Sequence, residues 1–250
     1  MPQVPRILIA SPTPGFVKTR YMKGIILTIR DMAKRGVDCD YVTADGTELV
    51  SMRNDLAAFF LRKPDYTHMF CVDADMVFKP DLCARMIAAD KAVIGLIYPR
   101  KSLDFGRVAQ ALKAGLPLQS AVQLGQVWFY PRDGKARPSP EAMLEVEWLG
   151  FGAVLIKRQT MESMIAKGVA KRQRAEDGGE RHNFFGIRPQ DVDGEEHVTE
   201  DISFCRRWKR DCGGEIWAMT DDVTHVGDFG YGGSYIEVLR ALEKVQGNLG

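Results

Sequence analysis

His68-Met69-Phe70-Cys71-Val72-Asp73-Ala74-Asp75-Met76 is the stretch on which the reading of this chain turns. Tyr66–Val72 reads as a buried strand, short and apolar, running out into two carboxylates spaced by two. In extended backbone that spacing puts Asp73 and Asp75 on the same side. In an open parallel sheet ligands bind beyond the carboxyl ends of the strands, which is where this pair stands. With no Lys or Arg between them the two acids repel unless something positive lies close. A divalent cation is the simple solution, since hard carboxylate oxygens suit Mg²⁺ or Mn²⁺. The plain alternative is an acidic turn that caps the next helix.

Outward from this stretch, short apolar runs alternate with helical patterns. Arg6–Ala10 and Val37–Thr43 read as strands, and Ala92–Ile97 as a fourth. Between them, Tyr21–Arg35 carries a stripe of Tyr21, Ile25, Ile29 and Met32, closed by Gly36. Glu48–Leu61 carries Leu49, Met52, Leu56 and Phe60, and a shorter helix opens near Asp81. This alternation predicts an α/β fold with a mostly parallel central sheet and helices on both faces. After Pro99 the punctuation changes. Val108–Leu112, Leu118–Leu124, Val127–Tyr130 and Leu144–Trp148 read as short strands of a smaller mixed or antiparallel extension. Ala153–Ile156 is a strand followed by a helix to about Lys167, and the polar stretch 170–196 reads as a long loop, a candidate lid. A helix from Glu200, a strand at Glu215–Met219, a Gly-rich segment and a last helix near Tyr235–Val245 complete the chain.

Composition sets the outer bounds. The chain has 250 residues, with 34 Lys and Arg against 33 Asp and Glu. That near-neutral balance offers no broad field for nucleic acid, which is not expected as a partner. No apolar run approaches the roughly 18–20 residues that span a bilayer, and the N-terminus lacks a signal-peptide pattern, so a cytoplasmic protein is expected. The 5 cysteines are scattered without CxxC, as reduced thiols would be. No linker or repeat divides the sequence, so one domain over 1–250 is expected.

Other groups could join the acidic pair. Glu200-Asp201 follows the polar stretch and could present a general base at a helix start; equally, acids in a first turn complement the helix dipole behind a Thr199 cap. His225, in Thr224-His225-Val226-Gly227, is a metal ligand only if a metal site is granted, and an imidazole ligand would favour Mn²⁺. Ser11-Pro12-Thr13-Pro14-Gly15 follows the first strand, where a parallel sheet presents its first loop to ligand. Arg53 could reach a diphosphate from its helix, or be a solvated position there. Gly150-Phe151-Gly152 lets backbone approach a ligand but lacks the third glycine of a dinucleotide fingerprint, and there is no GK[ST] for a P-loop.

Taken in order, the first-strand loop, Arg53-Asn54, Asp73-Ala74-Asp75, Gly150-Phe151-Gly152, Glu200-Asp201 and Thr224-His225-Val226-Gly227 resemble nucleotide-sugar glycosyltransferases of the GT-A fold, family-2-like, over roughly Arg6 to Tyr235. The resemblance implies a GT-A-like, Rossmann-like fold and metal-assisted transfer from a nucleoside-diphosphate sugar to a saccharide or lipid-linked acceptor in cell-surface polysaccharide synthesis. Asp75 and His225 would hold Mn²⁺ or Mg²⁺, with Asp73 on the ribose or beside the metal. Ser11, Pro12, Thr13, Asp45, Arg53 and Ala74 would line the nucleotide, with Gly95, Gly152 and the segment Tyr98-Pro99-Arg100-Lys101 beside the donor sugar. Asp201, paired with Glu200, would deprotonate the acceptor hydroxyl if the enzyme inverts. A lipid-linked acceptor would bring the protein into peripheral contact with the inner membrane face. One departure is that Arg206-Arg207-Trp208 follows Asp201 without the Gln of a Q-x-x-R-W signature, which separates the chain from processive synthases and leaves stereochemistry open. Two other readings stand beside this one: a sugar-1-phosphate nucleotidyltransferase, whose Gly-rich basic loop after the first strand is missing here, and a non-catalytic nucleotide- or glycan-binding protein.

Overall fold

The computed structural model describes residues 4–129, 143–175, 178–192, 198–227 and 230–247. In chain order the first elements are β1 (Arg6–Thr13), α1 (Thr19–Lys34), β2 (Asp38–Asp45), α2 (Leu49–Arg62), β3 (His68–Val72), β4 (Met76–Phe78), α3 (Leu82–Ala88) and β5 (Val93–Leu96). There follow β6 (Tyr98–Leu103), α4 (Phe105–Lys113), α5 (Leu118–Gly125), β7 (Gln126–Phe129), β8 (Leu144–Glu145), β9 (Ala153–Lys157) and α6 (Arg158–Ala166). The last are β10 (Lys171–Arg174), β11 (Glu180–Asn183), α7 (Pro189–Val192), α8 (Glu200–Arg206), β12 (Trp217–Met219), β13 (Asp222–Val226), β14 (Gly230–Ser234) and α9 (Tyr235–Gly247). A π-helical turn, Arg207–Asp211, extends α8.

Alternation along the central strands builds a three-layer sandwich. In β1, Leu8 and Ala10 belong to one core and Ile7 and Ile9 to the other; in β3, Met69 and Cys71 divide from Phe70 and Val72 in the same way. The first core is closed by α2 (Leu56, Ala57, Phe60), α6 (Met161, Met164) and α8 (Phe204, Cys205). The second is closed by α1 (Tyr21, Ile25, Met32) and α3 (Leu82, Cys83, Met86). Because these strands are covered on both faces, they read as unbroken apolar runs.

The central sheet has 7 strands in the order β2-β1-β3-β9-β5-β12-β8. β1 runs parallel to β2 and β3, and β5 parallel to β12. β9 lies antiparallel between β3 and β5, and β8 antiparallel on the edge. The expected α/β class and mostly parallel flanked sheet are therefore present, consistent with a GT-A-like fold. Small antiparallel sheets join β14-β13-β4, β6-β7 and β10-β11.

Three local expectations are corrected. Val108–Leu112 and Leu118–Leu124 lie in α4 and α5, not in strands. Asp104 caps α4 by accepting from Arg107 N. Within 170–196, the described residues form the β10–β11 hairpin and α7 rather than a long loop. Residues 176–177 and 193–197 of that stretch, and Tyr130, lie outside the described residues. No helix among the described residues is long and apolar enough to cross a membrane.

Candidate functional site

β3 ends at Val72 and the chain turns at once, with Met76 N donating to Asp73 O at 3.1 Å, before β4 begins. β4 pairs with β13 so that His225 lies opposite Met76, and Val226 N donates to Asp75 O at 2.8 Å. A histidine far along the chain is thereby carried to the acidic pair by strand register. His225 Nε2 stands 3.3 Å from Asp75 Oδ1. On its other side, His225 Nδ1 bonds the carbonyl of Pro99 at 2.9 Å. A carbonyl only accepts, so Nδ1 carries a proton and Nε2 faces the carboxylate either as a second N–H or as a bare lone pair. Oδ1 itself is buried and takes no hydrogen bond. With Nε2 unprotonated, two acceptors face each other, and a cation between them satisfies both.

The other oxygen of Asp75, Oδ2, accepts from Lys101 Nζ. Burial would raise the Asp75 carboxyl, but in the cation-free state a protonated His225 Nε2, 3.3 Å away, and Lys101 outweigh it and hold it below the usual carboxylate range. Asp73 goes the other way. Burial lifts its carboxyl, Arg53 offsets this in part, and the Asp75 charge adds to the lift.

Arg53 projects from α2 and is 3% exposed. Its Nη2 donates to Asp73 Oδ1 at 2.8 Å and its Nε to Glu200 Oε1 at 3.2 Å. The guanidinium lies 5.5 Å from the centre of the Phe151 ring, so one planar fork serves two carboxylates beside an aromatic face. Arg53 is thus a buried strut joining β3 to α8, not a side chain open to a diphosphate. Glu200 is held by it. Asp201, buried beside Glu200, turns inward: its Oδ1 accepts from Ile202 N at 2.8 Å and from the Thr199 hydroxyl. Burial, then the Glu200 charge, push the Asp201 carboxyl up to about 6.

A cleft of about 480 Å³ opens at this end of the sheet, lined by Pro12, Thr13 and Pro14 at the end of β1, Gly46, Thr47, Leu49 and Met52 around the start of α2, and Asp73, Ala74, Asp75 and His225. Asp45 shapes its wall by accepting from Thr13 Oγ1 at 2.7 Å. Of the expected donor-side residues, the structure brings Pro12, Thr13, Asp73 and Ala74 to the cleft, with Asp45 behind Thr13. It does not bring Ser11, which is buried with its hydroxyl bonded to Tyr21. Gly95 is also interior: a Cβ there would stand 2.9 Å from Leu149 and Val154, so strand packing demands the glycine. Gly152 acts from behind. Its carbonyl accepts from Asp73 N at 3.1 Å, and a Cβ would meet the Tyr98 ring at 2.7 Å. Sequence reasoning missed Gly46, Thr47 and Met52 as wall, although the end of β2, parallel to β1, was the signal.

Among the described residues, no group of 3 or more His, Cys, Asp and Glu is arranged to hold a metal ion. Asp75 and His225 make a two-ligand set. This fits a cation that takes one or two protein ligands and completes its shell with substrate phosphate and water, as Mg²⁺ and Mn²⁺ do in phosphate chemistry.

No family model matches the chain, and no curated protein matches it. Among solved structures it is similar to A197 from STIV, at 17% identity and a TM-score of 0.49, over 89% of this chain and 86% of that one. It is also similar to a glycosyltransferase involved in the glycosylation of the major capsid of PBCV-1, at 11% identity and a TM-score of 0.35, over 65% of each chain, just under two thirds. Neither likeness decides the chemistry, which has to come from the side chains of this chain.

Proposed function

We propose that this chain is a metal-dependent glycosyltransferase that moves a sugar from a nucleoside-diphosphate donor to a hydroxyl of a saccharide or lipid-linked saccharide. The observation that carries this reading is the meeting of Asp75 Oδ1 and His225 Nε2, 3.3 Å apart, at the mouth of the cleft. Asp75 and His225 would hold Mn²⁺ or Mg²⁺, with Asp73 alongside. A bound cation supplies charge neutralisation for the diphosphate as the glycosidic bond breaks. The protein does the rest. Pro12, Thr13 and Pro14, with the adjoining Gly46 and Thr47, would line the nucleoside, Asp45 fixing Thr13. Arg53 holds Asp73 and Glu200 in register, so the donor and acceptor sides are tied by one guanidinium. Asp201, with its carboxyl near 6, would be a base matched to neutral pH; it faces inward here, so taking the acceptor proton would require its side chain to turn towards the cleft beside Glu200. Such an acceptor would place the protein at the inner face of the membrane.

Calorimetry with UDP, GDP and CDP, each with and without Mn²⁺, tests this. One nucleotide should bind in a cation-dependent manner, and Asp75→Ala and His225→Ala should each abolish that dependence. If none of the three binds with Mn²⁺ present, the reading is wrong.

A further inference from the structure

The cleft needs a cationic partner for a diphosphate, and Arg53 is not available for that task. We propose that Lys101 holds the cation's place on Asp75 and passes to the donor diphosphate when the cation takes the carboxylate. This inference rests on the metal-dependent reading above and deepens it.

Four features lead to it. First, Lys101 Nζ bonds Asp75 Oδ2 while Asp75 Oδ1 takes no hydrogen bond, so the ammonium stands on the same carboxylate that would hold the cation. A divalent ion and an ammonium on one carboxylate repel each other strongly, so arrival of one displaces the other. Second, the Lys101 side chain is 38% exposed, unlike Arg53, and its four-carbon stem lets the charge swing to a new partner. Third, the stem has a lane kept open for it. A Cβ on Gly227 would stand 3.3 Å from Lys101 Cδ and 3.1 Å from the Tyr231 ring, so a side chain there would press on both. Fourth, β6 serves both members of the pair: Pro99 O orients His225, and Lys101 follows two residues later, in the stretch where the β6–β7 register shifts. One strand thus orients the imidazole and supplies the charge that competes for its partner.

The charges agree with an exchange. Asp73, Glu200 and Asp201 surround Arg53, and Asp75 faces Lys101 and His225, so four carboxylates meet two fixed cations and one imidazole, a balance that favours a divalent ion. Once the ion is bound, a released ammonium is repelled from the carboxylate and attracted to the donor's phosphates, where a point-charge donor serves well.

The test measures two affinities in the parent protein, Lys101→Met and Lys101→Arg. With Mn²⁺ alone, Lys101→Met should bind at least about fivefold more tightly than the parent, because the competitor is gone. With the nucleoside diphosphate that binds the parent, in saturating Mn²⁺, Lys101→Met should bind about tenfold more weakly. Lys101→Arg should keep Mn²⁺ affinity within about twofold of the parent. A purely structural Lys101 would move both affinities in the same direction. Equal affinities in parent and Lys101→Met, or losses of both, overturn the exchange while leaving the metal-dependent reading in place. No Mn²⁺ or nucleotide binding by any of the three proteins overturns both.

Discussion

Asp201 and Arg53 are the residues whose energetics follow most directly from their surroundings. The Asp201 carboxyl is pushed up to about 6, from an ordinary value near 4. Well below pH 4 it is protonated both folded and unfolded and changes nothing. Between about 4 and 6 the folded state keeps the proton longer, so stability falls as pH rises through this window. Above 6 the folded protein bears the whole cost of a buried ionised carboxylate. Asp201→Asn keeps an acceptor for Ile202 N and the Thr199 hydroxyl and removes that cost. It should stabilise the fold by about 1–3 kcal/mol at pH 8 and by almost nothing at pH 3.5, read by urea unfolding at the two pH values. The same variant should lose turnover. Arg53→Met acts in the opposite sense. It leaves Glu200 and Asp73 without their shared cation, and loss of one partner from a buried ion pair costs about 3–5 kcal/mol. The partial exposure of Asp73 places the expected loss at the lower end, measured at pH 7.5 against the parent.

At the scale of elements, the β10–β11 hairpin is pinned to α2 by Asn54 and by Arg181, whose Nη1 donates to Asp55 Oδ1 at 2.6 Å and to Ser51 Oγ at 2.8 Å. Asn54 Oδ1 accepts from Phe184 N at 2.9 Å and Phe185 N at 3.2 Å, both buried. Arg207, 1% exposed, donates to the carbonyls of Asn183 and Phe184 from the other side. Asn54→Ala strands two buried N–H groups and should cost roughly 2–4 kcal/mol. Hydrogen exchange should locate the change: faster at Phe184 and Phe185, unchanged in β1 and β3. The central strands were legible in the sequence because burial on both faces writes itself as an apolar run, as in Ile7–Ala10. The hairpin was not, because Lys171–Arg174 and Glu180–Asn183 are polar on both faces and the end of β11 is held by Asn54 and Arg207, partners distant in sequence. For the same reason Arg53 read as a candidate phosphate ligand: nothing local reveals that Asp73 and Glu200 converge on it. Asp73, Asp75 and His225 were legible as chemistry, whereas the strand register that joins them was not.

At the scale of the whole molecule, the site is assembled from the loop after β1, the end of β3, the start of α2, strand β6 and strand β13. Ligands that bridge these parts should stabilise the entire fold. Saturation at about 100 times the dissociation constant contributes about 2.7 kcal/mol. Mn²⁺ with its nucleoside diphosphate should therefore raise the thermal midpoint well beyond Mn²⁺ alone, and chelation should reverse the rise. Gly152→Ala should blunt both, since pushing Tyr98 aside shifts the carbonyl that positions Asp73 N. The delivery of His225 by β13 has a further consequence for biosynthesis. A nascent chain halted at Asp221 already owns both acids of the doublet but not His225, and β4 still lacks its neighbour. Manganese capture should accordingly switch on only once residues 222–226 can pair with β4, and ribosome-stalled chains of increasing length would reveal that threshold. An unfinished polypeptide would be unable to sequester sugar donors that it cannot yet use.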